Sequence, residues 1–418
     1  MIENKLLNLS RQQLAQLGRE YMLAAQVNSR AGYAKVRIDH GENAYLDVAI
    51  PNWLGASPVY TGRMQRAMGF ADQPDVEAIF KGLQLECGLS HQYFDACFEL
   101  ESSQRGSFYL DSCGALLEAE PRGPEAVKVM CHDIEDPTFD ATAVATNPQA
   151  RMRPYHRPPR QANSTGPVCK WDVFIDKDAE HLPMPEEAKR VAKSLLAQIE
   201  LDAGKEVVEQ GGMDDYSGDL HSKLALESFS QSALTLICQE LGLQNNLLVR
   251  AMLMVVADLY GEDAAAAVGE FQMIGSSRVV SERLCRCLGF SDGGLAAIAE
   301  VLALHPAFQP IAYSCVSVQL LDDSTLALNI NPGPAMDEAD NYSWLKILAS
   351  GNDTGLKSLL KGIDKTASCR RDASAKNRWL ITVGNELEQE EHLAIMVCRG
   401  AVVTSFDLKD APEIMRIV

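Results

Sequence analysis

No stretch of about 18 apolar residues, the least that crosses a bilayer as a helix, occurs in the 418-residue chain, so a membrane-bound protein is not expected. The N-terminal MIENKLLNLSRQQLAQ also lacks the apolar core of a secretory signal, and a cytoplasmic location is expected. Positive charge is scarce. Lys and Arg number 38 against 57 Asp and Glu, a net charge of -19, and a surface of that sign repels phosphate backbones. Nucleic acid is thus excluded as an expected partner. GxSxG, P-loop, GxGxxG and HExxH motifs are all missing, which argues against a nucleotide cofactor. There is no CxxC pair either. The 11 cysteines, an odd number scattered along the chain, read as reduced thiols rather than a disulfide framework.

What is present is a second reading of the same text. NWLGASPVYTGRMQRAMGF (52–70) lies without a gap over QMIGSSRVVSERLCRCLGF (272–290). Gly55, Ser57, Val59, Arg63, Arg66, Gly69 and Phe70 meet identical residues there, and the register continues on both sides with small indels. With 46% hydrophobic residues and this length, a long-period repeat predicts two similar domains from a duplication. The boundaries expected are 1–180, a linker at 181–224 with an amphipathic connecting helix from Glu186, a second copy at 225–395, and a C-terminal strand or tail at 396–418. Helical periodicity fills the first half of each copy, as Arg11 to Asn28, Glu42 to Trp53, Ser57 to Met68 and Pro74 to Leu85. Two extended runs follow around a turn at Gly106, then a helix from Pro124, a loop rich in Pro and Arg, and a closing strand VCKWDVFID. The fold class expected is α+β, two tandem copies of a helical layer on a small antiparallel sheet, the second copy degenerate.

The copies differ in chemistry. Cys131 faces Ala349, His132 faces Ser350 and Cys169 faces Asn377, while the second copy is shorter where QARMRPYHRPPRQA stands in the first. One functional site in the N-terminal copy follows. Cys113, Cys131, His156 and Cys169 are candidate ligands for zinc or iron, since thiolate and imidazole suit both. Cys113 and Cys169 also read as ordinary buried strand residues. Glu135 and Asp133 are candidate proton carriers, and Asp136-Pro137 reads as a helix start. Arg153, His156, Arg157 and Arg160 form a basic loop that would clamp an anionic substrate or the acidic HDIED segment. Without a metal, Cys131 would be the nucleophile and His132 or His156 its base. Arg63 and Arg66, kept in both copies, read as structural.

The run from Phe108 to Ile175, with its hairpin, its helix bearing Cys131-His132 and its closing CKWDVFI strand, resembles 4-vinyl-reductase-type domains and 2-amino-thiazoline-4-carboxylate (ATC) hydrolases. The resemblance implies zinc ligands at Cys131 and Cys169, and opening of a small nitrogen heterocycle or amide-type C–N bond. The expected function is hydrolysis of a small anionic or heterocyclic metabolite. The alternative is a non-catalytic small-molecule binding module with a structural zinc. A homodimer is an open expectation.

Overall fold

The computed structural model describes residues 3–160, 165–203, 209–290, 293–384 and 391–400. The N-terminal half begins with α1 (Arg11–His40), α2 (Ala44–Ala67) and α3 (Val76–Gln84). Ser10 caps α1 by accepting from Gln13 N at 3.2 Å while Gln13 reaches back to Ser10 N, and Gly41 ends it at φ 89°, where a side chain would be strained. A hairpin of β1 (Phe94–Ser102) and β2 (Arg105–Cys113) follows. Next come α4 (Gly114–Ala119), α5 (Pro124–Lys128), a π-helical turn at Val129–Ile134, and α6 (Glu135–Val144). Strands β3 (Ala150–His156) and β4 (Cys169–Ile175) complete an antiparallel sheet of order β1-β2-β4-β3. Cys169, Trp171, Val173 and Ile175 alternate inward along β4, as the pleat requires.

Two short helices connect, α7 (Glu186–Val191) and α8 (Leu195–Gln198). The C-terminal half then runs α9 (Gln231–Tyr260), α10 (Glu262–Leu288), α11 (Gly294–Leu304), α12 (Ile311–Ser314), β5 (Val316–Asp322), β6 (Thr325–Ile330), α13 (Pro334–Asp337), α14 (Trp344–Ala349), α15 (Thr354–Ile363), β7 (Ala367–Arg371), β8 (Arg378–Val383) and α16 (Leu393–Cys398). Its sheet order is β5-β6-β8-β7. The chain is thus α+β, helices with two four-stranded antiparallel sheets. Both long first helices have a serine cap and a glycine end, Ser10 and Gly41 in α1, Ser230 and Gly261 in α9. Phe108 pairs with Trp171 in one sheet and Leu328 with Trp379 in the other.

The helices do not form two separate layers. α1 and α9 are buried on nearly every face, so neither can satisfy its apolar surface within its own half. They pack on each other and on the opposite half's second helix, in a core shared by both halves. Two buried ion pairs cross this interface reciprocally. Arg63 on α2 donates to Glu240 on α9 at 2.7 and 3.0 Å, and Arg283 on α10 donates to Glu20 on α1 at 2.6 and 3.0 Å. Arg63 is structural as its sequence position indicated.

Four local expectations are corrected. The two helices expected over Glu42–Met68 are one, α2, with Pro51 and Pro58 inside it. Gly55 lets neighbours hold it, since a Cβ there would lie 3.3 Å from Glu187 Cβ and 3.4 Å from Ala251 Cβ. The connecting helix is only α7 and α8, and residues 204–208 lie outside the described residues. The start of the expected Pro/Arg loop is strand β3. Residues 396–398 end α16 rather than forming a strand, and 401–418 lie outside the described residues.

Candidate ligand-binding site

The π-helical turn holds the CHD sequence. It comes just before Pro137, which has no N–H to offer a regular turn, and it links α5 to α6 with one wide turn. Cys131 is buried there beside Cys113, which ends β2, and Cys169, which opens β4. Burial pushes all three thiols up, Cys169 to about 12, and a charge on Glu135 would push each further. Cys113 Sγ accepts from Leu116 N at 3.3 Å. The structure therefore gathers three sequence-nominated thiols and Glu135 in one neighbourhood.

The other nominated residues stand apart from it. His156 pairs with Lys170 across the sheet, on the face opposite Cys169 and Trp171; it is exposed, and its Nε2 bonds Pro167 O at 3.1 Å. His132 Nε2 bonds Pro158 O at 2.7 Å. Asp133 pairs with Lys128 at 2.8 Å on the surface. Arg153 pairs with Asp140 at 2.9 Å, Arg157 with Asp136, and Arg160 with Glu120 at 3.0 Å. Of these arginines only Arg157 meets the HDIED segment, and Asp136 is tied to it rather than capping a helix. Among the described residues, no three His, Cys, Asp or Glu side chains stand where they would hold a metal ion. Of the four nominated ligands the three thiols converge, and His156 does not join them.

The open space lies on the other side of Glu135. A cavity of ≈ 160 Å³ lies among α1, α2, the hairpin and α6, with α2 and α6 in contact through Ser57 and Thr142. It follows α1 from Gln26 through Tyr33 to Arg37, about 16 Å at the helical rise. Because α2 runs back along α1, Tyr60 lies at the Gln26 end and Tyr45 at the Arg37 end. The walls are mainly apolar and aromatic, with Trp53, Leu89, Phe94 and Phe139 among them. Thr138 and Thr142 give their hydroxyls to their own helix, to Ile134 O at 2.8 Å and Thr138 O at 3.1 Å. Val397 of α16 adds a wall from the far end of the chain. Gly275 makes this possible, since a Cβ there would lie 2.4 Å from Ala394 O.

Two carboxyls line the cavity. Glu86 is fully enclosed and burial pushes it up to about 8, against a hydrogen bond from Thr61 Oγ1 at 3.1 Å that pulls it down. Glu135 opens onto the cavity, and burial pushes it too up to about 8, although Arg157 pulls the other way. Both are predominantly protonated at pH 7, donors as well as acceptors. Gly88 gives Glu86 room: a Cβ there would lie 2.9 Å from Glu86 Oε1 and 3.2 Å from Tyr60 Oη. At the other end Arg37 stacks 3.7 Å over the Tyr45 ring and donates to Glu42 at 2.9 Å. Arg30 pairs with Glu118, which also accepts from Tyr93 Oη at 2.7 Å.

The sequence reading missed all of these but Glu135. The signal was available in the comparison of the repeats. Tyr33, Ala34, Arg37 and Tyr60 stand over Leu253, Met254, Ala257 and Val280, so the helices differ between halves as much as the thiols do. In the C-terminal half Leu253, Met254 and Val280 are core residues. A void of only ≈ 10 Å³ is lined there by Asn246, Val249, Val280 and His305. His305 sits, like Glu86, just before a short 3-10 helix. No described helix is long and apolar enough to cross a membrane. Comparison with family models, characterised proteins and solved structures gave no match to the chain.

Proposed function

We propose that the chain is a duplicated α+β protein whose N-terminal half binds a small molecule, and whose C-terminal half is a filled, degenerate copy that serves as its scaffold. The observation that carries this is the cavity of ≈ 160 Å³ in one half against ≈ 10 Å³ at the corresponding place in the other. Cavities that are mostly apolar with a few convergent polar groups are the usual form of a ligand site. The reciprocal pairs Arg63–Glu240 and Arg283–Glu20 and the like order of both sheets support the duplication. The hairpin, the Cys131-His132 helix and the closing strand, in that order, support kinship with 4-vinyl-reductase-type domains.

A second reading, hydrolysis, is favoured by one observation: Glu135 lines the cavity with a pKa near 8, fit for proton transfer. Cys131 is a poor nucleophile for it, because the thiolate is the reactive form and burial holds the thiol protonated. The test is binding of the neutral fluorophore N-phenyl-1-naphthylamine to the full chain. About one equivalent should bind, and Ala34→Met, which places the C-terminal half's residue in the cavity, should abolish it. Equal binding by the folded variant overturns the proposal.

A further inference from the structure

The two ends of the cavity are chemically unlike, and the difference specifies a ligand. Arg37 and Arg122 stand together at the α1 C-terminal end, while Arg30, two turns back along α1, is paired with Glu118. Glu118 lines the cavity there and is held by Arg30 and Tyr93. Glu42, at the rim and largely exposed, is the partner of both Arg37, at 2.9 Å, and Arg122, at 3.9 Å. Arg37 and Arg122 thus share the one carboxylate of Glu42, which lies in solvent, where screening weakens it. Arg37 and Arg122 press on each other: burial and the Arg37 charge both hold Arg122 below its ordinary value. Arg37 Nη2 is out of solvent and makes no hydrogen bond of ordinary geometry among the described residues. At the Gln26 end the one carboxyl, Glu86, is held mostly protonated by burial.

We infer that the cavity takes a slender, mainly apolar aryl carboxylate, with its carboxylate at Arg37 and Arg122 and its ring toward Trp53, Phe94 and Tyr60. This rests on the binding reading above. The site fits a monoanion rather than a phosphate dianion, because the surplus is a single charge. A planar guanidinium fork suits a carboxylate, and aromatic walls suit a ring placed edge or face on. The slot of about 16 Å along α1 fits a chain of several methylenes between ring and acid.

The experiment is calorimetric titration of the full chain with 6-phenylhexanoate and with 6-phenylhexan-1-ol, for wild type, Arg37→Gln and Arg122→Gln, with thermal melting to establish that each is folded. The acid should bind at least tenfold tighter than the alcohol. Each variant should shrink that gap to below threefold while leaving alcohol affinity unchanged, and Arg37→Lys should restore part of it. Arg122, at the rim, serves if Arg37→Gln fails to fold. If acid and alcohol bind wild type equally, the anion end is refuted and the cavity reading stands. If the gap survives both Gln variants, the placement of the carboxylate is overturned. If neither probe binds folded wild type, the binding reading falls and this inference with it.

Discussion

The N-terminal sheet and the C-terminal sheet have the same strand order, yet only one of them belongs to the main core. Leu326, Leu328, Trp379 and Ile381 of the C-terminal sheet join the apolar cluster that runs through α1, α2, α9 and α10. Phe108, Leu110, Trp171 and Val173 of the N-terminal sheet form a separate cluster with α3 and the three thiols. The cavity is lined from both clusters, by Tyr33, Tyr45 and Tyr60 on one side and Leu89, Leu110 and Phe139 on the other. A few exchanges on the helix faces account for it: large apolar side chains fill one half, while polar or small ones in the other hold the sheet off. On the proposed reading, binding space arises from leaving a core unfinished in one half, while the other half fills the same place.

The strongest way to test that division is to break the interface it relies on. Arg63→Ala and Arg283→Ala each strand a buried carboxylate, Glu240 or Glu20, and each should cost about 3–5 kcal/mol. Urea midpoints should fall alike for both. If only one variant is destabilised, the halves are not equivalent partners. The double variant Arg63→Met/Glu240→Met should recover most of the loss, because no charge is then left buried.

Titration separates the halves with opposite signs. Glu86 and Glu135 titrate near 8 in the fold against an ordinary 4.5, so the native state keeps protons the unfolded chain has lost, and stability falls as pH rises from about 4.5 to 8. Each contributes a slope of about 1.4 kcal/mol per pH unit inside that window. His305, buried and neutral, is held down to about 3 against 6.5. The unfolded chain therefore takes up its proton first, and stability falls as pH drops from 6.5 toward 3. Urea midpoints across pH 4 to 8.5 should show both limbs. Glu86→Gln with Glu135→Gln should flatten the fall between pH 6.5 and 8, where only the carboxyls act, and His305→Asn should remove its own loss below pH 4.5; between 4.5 and 6.5 both sets act with opposite signs. An effect of His305→Asn above pH 6.5, or of the Glu variants below pH 4.5, would deny that the two positions act independently.

The smallest effect sharpens the comparison most. Ala34→Met should stabilise the chain by about 1 kcal/mol through cavity filling, read as a raised urea midpoint. Its reciprocal, Met254→Ala, should destabilise by about 2–5 kcal/mol, because the C-terminal core has no space to spare. Stabilisation by both changes would mean the cavity is not the feature that distinguishes the halves.

The sequence alone determined the α+β class, three of the four strands of each half, and the contrast between a chemically rich half and a plain one. These are local: alternation and turn chemistry are carried by neighbours in the chain. It also led to Cys113, Cys131, Cys169 and Glu135, which do converge. Tertiary structure alone decided which way each side faces. A strand pleat turns His156 away from Cys169, and a π turn aims Glu135 at the cavity while Asp133 meets solvent. It also set Arg37, Tyr60 and Glu86, from separate elements, around one space. Periodicity names the faces of a helix, but the partner each face meets depends on how long buried helices such as α1 and α9 satisfy all their surfaces at once, and that is settled only when both halves close on a single core.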